Sequence, residues 1–145
     1  MKGMTIIVKK TAQLISGMIF MYGIYVIIHG HLTPGGGFAG GVIMAGSLIL
    51  ITLSHGTGFL ELVKEELGTT IVESIATITV VLIGTAGFLL GTNAFFNNWL
   101  PKGTVGALVS AGVLPLYNIF VGIEVCASIF IIFLSLIIFK EESPK

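Results

Sequence analysis

Arginine and aspartate are both absent from this 145-residue chain, and its charge rests on seven lysines and seven glutamates that cancel. Charged residues make up 10% of the chain, against about 25% in an average soluble domain. So few charges cannot cover a water-facing surface, and without a basic stripe the chain is not a nucleic-acid binder. Cysteine occurs once, at Cys126, which excludes an intrachain disulfide and any Cys-rich metal or iron–sulfur site. There is no CxxC and no nucleophile elbow, and Gly35-Gly36-Gly37 lacks the Lys-Ser/Thr of a phosphate loop. No catalytic constellation, cofactor or metal site is therefore expected. What the chain has instead is 54% hydrophobic residues and 20 glycines, the composition of an integral membrane protein in a single domain.

A membrane-spanning helix needs about 20 mostly apolar residues. Four runs meet that length, at about 11–29, 38–58, 69–91 and 116–139; Glu73 and Glu124 are the acids inside them. The first run is too long for a signal-peptide core and has no small-residue cleavage site after it, so it reads as a retained helix. The runs are continuously apolar, which argues against the alternating strands of a membrane barrel. With the N-terminus in the cytoplasm, Lys2, Lys9, Lys10, Lys64, Lys140 and Lys145 fall inside and Lys102 falls outside. This positive-inside bias predicts a multi-pass protein of the cytoplasmic membrane with both termini cytoplasmic. The inner loop, about 60–68, reads as a solvated turn around Glu61, Lys64, Glu65 and Glu66. Between Pro101 and Pro115 lies an apolar, small-residue stretch, 103–114, that is too short to span. It reads as a re-entrant piece or an outer cap, with Asn97, Asn98 and Trp99 before it as an interface anchor.

Small residues mark packing faces. Gly37, Gly41 and Ala45 recur at i, i+4, i+8 on the second helix, and Gly87 and Gly91, with Gly84 nearby, do so on the third. Such faces let backbones approach closely, which is how membrane helices associate. They serve packing within the four-helix unit or against partner subunits. Glu124 sits near the bilayer centre, roughly 12 Å below the outer surface. A carboxylate there costs at least ~2.5 kcal/mol even on the lenient insertion scale, so it must face protein or water. Tyr117, Ser128 and Ser135 share its helical face. Glu124 reads either as a protonatable or cation-binding waypoint or as a paired residue that glues helices. Glu73, roughly 7 Å deep by the same arithmetic, can snorkel to the interface or line an ion path along Thr77 and Gly84. His29 and His31 flank the outer turn and His55 lies at the inner end of the second helix, so the three cannot converge on one metal. His31 is a candidate outer proton relay, because imidazole exchanges protons near neutral pH, or a turn-stabilising hydrogen bonder.

The outer turn itself is Gly30-His31-Leu32-Thr33-Pro34-Gly35-Gly36-Gly37-Phe38-Ala39-Gly40-Gly41. Thr33-Pro34 sets an extended entry and the glycines permit positive φ before the next helix. This segment closely resembles the GHxxPGGGFxGG turn of the MnhB-related family, a subunit type of the Mrp-type multisubunit sodium/proton antiporters. The resemblance implies a four-helix accessory subunit among other integral membrane subunits, handling sodium ions or protons. It extends to the equivalent subunit of energy-converting membrane-bound hydrogenases. At Asn118 the bacterial antiporter pattern has an Asp, and no acid stands at Glu124, so the role of that Asp does not transfer. The departure favours an archaeal-type or hydrogenase-linked branch.

The expected fold is thus an all-α integral membrane protein with four transmembrane helices, a glycine-rich outer turn and a short re-entrant or capping segment before the last helix. The expected function is an accessory subunit that helps form or seal an ion pathway at subunit interfaces. Glu124, His31, Glu73, Tyr117, Ser128 and Asn118 are the ion-pathway candidates. Pro34, Gly35, Gly36, Gly37, Gly41, Gly87 and Gly91 are the turn and packing residues. A purely structural scaffold is the alternative. A self-sufficient small transporter is disfavoured by the few ionisable groups and the lack of an inverted repeat.

Overall fold

A computed structural model describes residues 4–56, 66–92 and 94–142. The described residues contain four long helices and no strand: α1 (Ile6–Ile28), α2 (Gly36–His55), α3 (Glu66–Gly87) and α4 (Leu114–Glu142). All four are long and apolar enough to cross a membrane. Of the predicted inner loop, about 60–68, the part with Glu61, Lys64 and Glu65 lies outside the described residues, while Glu66, Leu67 and Gly68 are not loop but the start of α3.

The helix ends differ from the apolar runs for local reasons. α1 starts at Ile6, so Lys9 and Lys10 lie inside its first turns; lysine is a good helix former and its charge can snorkel to the surface. α2 ends at His55, three residues before the predicted limit, because Gly56 adopts φ 73° and closes the helix onto the Thr52 carbonyl (3.0 Å). α3 passes into a wider π-helical turn, Phe88–Thr92, which contains Gly91. α4 begins at Leu114 and accepts Pro115 in its first turn, where the missing N–H costs nothing.

The helices pack in the order α1, α2, α4, α3, with a minor contact between α1 and α4. Two glycine-lined crossings hold the first three together. At α1–α2, Gly23 faces the Gly40 carbonyl; a β-carbon on Gly23 would lie 3.0 Å from that oxygen. At α2–α4, Gly41 faces the Gly122 backbone, and a β-carbon on Gly41 would lie 2.6 Å from the Gly122 oxygen. Ala45, one turn further along α2, is fully buried. The predicted face of Gly37, Gly41 and Ala45 is therefore used within the unit, against α4. Gly84 and Gly87 serve a different purpose from the one predicted: they face Phe95, Phe96 and the Asn97 main chain in the following loop, not another helix. The π-helical turn folds that loop back over the helix end, and Phe96 N–H bonds to the Gly84 carbonyl (3.2 Å).

The segment 103–114 is an irregular cap and contains no re-entrant helix. Positive φ at Gly103, Gly106, Ala111 and Gly112 bends it repeatedly, and Ala111 N–H returns to the Lys102 carbonyl (2.9 Å). Asn98 organises it from below: its Oδ1 accepts from Leu100 N–H (3.3 Å) and Val113 N–H (3.1 Å). Trp99, expected as an interface anchor, is only half-exposed and its indole nitrogen is turned inside.

A paired substitution tests the glycine crossing. Gly41→Ala should destabilise the detergent-solubilised protein by about 1–3 kcal/mol through overpacking. Gly46→Ala, whose β-carbon meets nothing within 4 Å, should be neutral or stabilising by up to ~1 kcal/mol. Thermal unfolding of the two variants reads the difference, and equal melting points would refute the crossing.

Candidate functional site

Most buried hydroxyls in α1 and α2 bond back into their own helix. Ser16 donates to Gln13 O, Ser47 to Met44 O, Thr52 to Leu48 O and Ser54 to Ile51 O. This local closure is how a hydroxyl is satisfied where no water reaches. Between α3 and α4 the pattern changes. Ser128 donates across to Glu73 Oε1 (2.5 Å), and Thr77 donates across to Glu124 Oε1 (3.0 Å). Each helix carries an acid and, four residues later, a hydroxyl. Because the helices run antiparallel, each acid meets the other helix's hydroxyl. The two pairs sit one helical turn apart, about 5.4 Å along the axis.

The arrangement answers the cost of the two acids. A carboxylate at membrane depth costs about 2.5–3.5 kcal/mol unless it is paired or wetted, and hydrogen bonds to charged groups are the strong ones. Glu124 points at α3 rather than into the acyl chains. Glu73 does not snorkel away, as its depth alone allowed, but turns onto Ser128. Thr77 has a further property. Its Oγ1 is 3.0 Å from both Glu124 Oε1 and the Glu73 carbonyl oxygen, and it has one proton to give. With Glu124 ionised, Thr77 donates to the carboxylate. With Glu124 protonated, the acid donates to Thr77 and the threonine proton turns to the carbonyl. Thr77 can thus keep one hydrogen bond with Glu124 in either protonation state.

The same register extends the seam. Towards the chain termini, Thr69 and Thr70 line a small cavity of about 70 Å³ with Ile131 and Ser135. Towards the turn the same spacing would set Val80 against Val121, while Gly84 is covered by Phe95 and Phe96. There Phe96 packs on Tyr117 with ring centroids 5.3 Å apart. Polar groups thus run from one end of the seam to its middle, and apolar and aromatic groups close the other end. Tyr117 lies on the predicted face, but its hydroxyl has no hydrogen-bond partner and its ring belongs to the closed end. Ser135 bonds to Ile131 O (2.9 Å) at the open end. Thr77, by sequence only a member of a weakly polar stripe, is the residue that single-helix reasoning misses. The signal that finds it is the repeated acid-x-x-x-hydroxyl pattern, Glu73/Thr77 and Glu124/Ser128.

The remaining candidates gather around the glycine turn. Asn118 Oδ1 accepts from Gly37 N–H (3.2 Å), one of the donors that the start of a helix leaves free; Gly35, at the cap position of α2, has no side chain to do so. Asn118 is therefore a cap supplied from another helix. Gly30 and Gly36 lie against it: a β-carbon on Gly30 would stand 2.5 Å from Gly36 Cα and 2.9 Å from Asn118 Nδ2. Gly35 and Gly36 take φ 134° and 67°, the region that favours glycine. Pro34 is exposed at the tip. His31 Nε2 lies 3.4 Å from the Ala107 carbonyl and ties the turn to the cap, while its Nδ1 is buried without a partner. His29 stacks on Tyr25 (4.1 Å), and His55 bonds to Ile51 O (3.1 Å) at the opposite end of the bundle. Among the described residues, no three His, Cys, Asp or Glu side chains gather as a metal site requires.

Comparison with known proteins places this geometry. Residues 7–131 match the family described as a domain related to the MnhB subunit of Na+/H+ antiporter. The chain belongs to that family. An uncharacterised protein of Methanocaldococcus jannaschii is 31% identical over 134 residues, covering 86% of this chain and 49% of the relative. A Na+/H+ antiporter subunit of Bacillus subtilis is 36% identical over 50 residues, 34% of this chain and 35% of that one. Among solved structures, a chain of the membrane-bound sulfane sulfur reductase, an archaeal respiratory membrane complex, superposes with a TM-score of 0.74 at 27% identity. That match covers 91% of this chain and 57% of the other. The chain thus spans about half the length of the Methanocaldococcus protein and of the reductase chain. It is a multi-pass membrane protein of the kind found in antiporter-like membrane complexes.

Asn118→Ala should lower stability by about 1–2 kcal/mol, the usual loss of a helix cap. Asn118→Asp should not, because it keeps the acceptor and adds negative charge at a helix N-terminus. Thermal melts of the two variants decide: if alanine is harmless, the side chain is not acting as a cap.

Proposed function

We propose that this chain is an accessory subunit of a multisubunit cation/proton antiporter module, within a free-standing exchanger or a related respiratory complex. Its part is to supply one wall of an ion pathway along the α3–α4 seam. The observation that carries this reading is the reciprocal pairing of Glu73 with Ser128 and Glu124 with Thr77 at membrane depth. Glutamines would glue the helices without the cost of ionisable groups, and intramembrane ionisable residues mark ion and proton paths. α3 packs chiefly on α4, and Glu73 and Glu124 are half-buried while Thr77 is exposed in the isolated chain. The uncovered side of the seam is where a neighbouring subunit completes the path. No catalytic chemistry is assigned to the chain; the ion, its direction and any redox drive belong to the whole assembly.

The seam is tested in the assembled complex. Glu124→Gln should cut sodium-dependent proton exchange in inverted vesicles by on the order of 10²-fold, the usual weight of one positioned proton-transfer group, with subunit recovery unchanged. Thr77→Val should shift the pH profile of exchange, and Thr77→Ser should restore it. If Glu73→Gln, Glu124→Gln and His31→Ala all assemble and exchange normally, the chain is a scaffold.

We also propose that both termini face the cytoplasm, on the strength of the lysine asymmetry. In intact cells, Lys102→Cys should react with a membrane-impermeant maleimide and Lys10→Cys should not. The reverse pattern would invert the assignment.

A further inference from the structure

The α1–α2 surface, away from the α3–α4 seam, carries an open groove of about 390 Å³ between Gln13, Gly17 and Met21 on one side and Ser47, Leu48 and Ile51 on the other. It exists because three of the residues along it, Ser16, Gly17 and Ser47, are small. A β-carbon on Gly17 would meet nothing within 4 Å, and Ser16 and Ser47 are almost wholly buried at its floor. Both floor hydroxyls are already spent on their own helices, on Gln13 O (3.1 Å) and Met44 O (2.7 Å). The floor therefore offers no free hydroxyl to a row of waters, Gln13 brings the one side-chain amide, and the walls are almost entirely apolar. From Gln13 to Met21 it runs about 12 Å along the helix.

One end of this groove is basic. Lys9 precedes Gln13 by four residues and Gly17 by eight, so it continues the same stripe of α1. It is half-buried, and Lys10 stands beside it. His55 follows Ile51 by four on α2 and bonds to its carbonyl. The two helix ends are tied together by Met4 N–H to Ser54 O (3.1 Å). Neither α1 nor α2 contains an acid. From this geometry we propose that the groove binds an anionic phospholipid, with one acyl chain lying between α1 and α2 and the phosphate held at Lys9. A dry channel ending in cations at membrane-surface depth fits such a lipid. A neutral partner helix would leave the lysines without a counter-charge. Basic pockets between membrane helices recognise anionic headgroups in this way.

The test uses the intact complex in vesicles containing phosphatidylglycerol or phosphatidylcholine, each with a diazirine in the acyl chain and at equal mole fraction. Adducts are mapped by mass spectrometry. Phosphatidylglycerol adducts on residues 13–21 and 47–51 should exceed those of phosphatidylcholine by about fivefold, the weight of one basic residue near the headgroup. Lys9→Gln should bring that ratio close to one while total adducts hold. Gly17→Leu should fill the groove and depress both. Parity in the unsubstituted complex, a ratio unmoved by Lys9→Gln and Lys10→Gln together, or a protein subunit cross-linked there in place of lipid would overturn the proposal.

Discussion

Where α2 crosses α4, main chain meets main chain. Gly37 and Gly41 bring the start of α2 onto the backbone of Asn118 and Gly122 with no side chain between them. In a bilayer there is no hydrophobic force to drive helices together, so close approach, dispersion and interhelical hydrogen bonds carry the association. The crossing also fixes rotation. Gly122 against Gly41 sets which side of α4 faces α2, and Glu124 and Ser128 are left on the side that faces α3. The Asn118 cap locks the same junction, satisfying a helix-start donor from a neighbouring helix. The glycine turn and the polar seam are thus two results of one contact.

The seam shows how a membrane protein keeps an acid. Each carboxylate accepts a hydroxyl proton from across the helix pair, and Thr77 is positioned to reverse roles with Glu124. The reversal rests on the Glu73 carbonyl, 3.0 Å from Thr77 Oγ1, which can take the threonine proton when the acid is itself the donor. The buried hydroxyls of α1 and α2 bond inward to their own helices, so among the described residues the hydroxyl–carboxylate pairs across helices are those of α3–α4.

The four crossings are legible in the sequence because each run is long and nearly uncharged, and the outer turn is legible because proline and three glycines leave little else to form. Helix ends are less so: Lys9 and Lys10 read as a flank but are helical, and Gly56 stops α2 early. Glu124 stands out as the informative residue from its depth. Its partner does not, because depth comes from one helix while register needs two. Gly87 reads as a helix-packing residue and is not one for the same reason; small residues announce a close approach without naming what approaches. Asn118 groups with ion-path residues on chemistry alone, and its position at the start of α2 shows that it caps.

The pairing of acids and hydroxyls one turn apart also makes the α3–α4 contact a lock with a single notch. Sliding α3 by one turn, about 5.4 Å, in one direction would set Glu73 against Glu124 and leave Thr77 facing Phe120. Sliding it the other way would put Glu73 opposite Ile132 and bring the two hydroxyls together. Of these three settings, the observed one alone gives each carboxylate a donor. Head-on carboxylates would be tolerated only with one of them protonated, so the pairing itself opposes any slip of this helix along its neighbour.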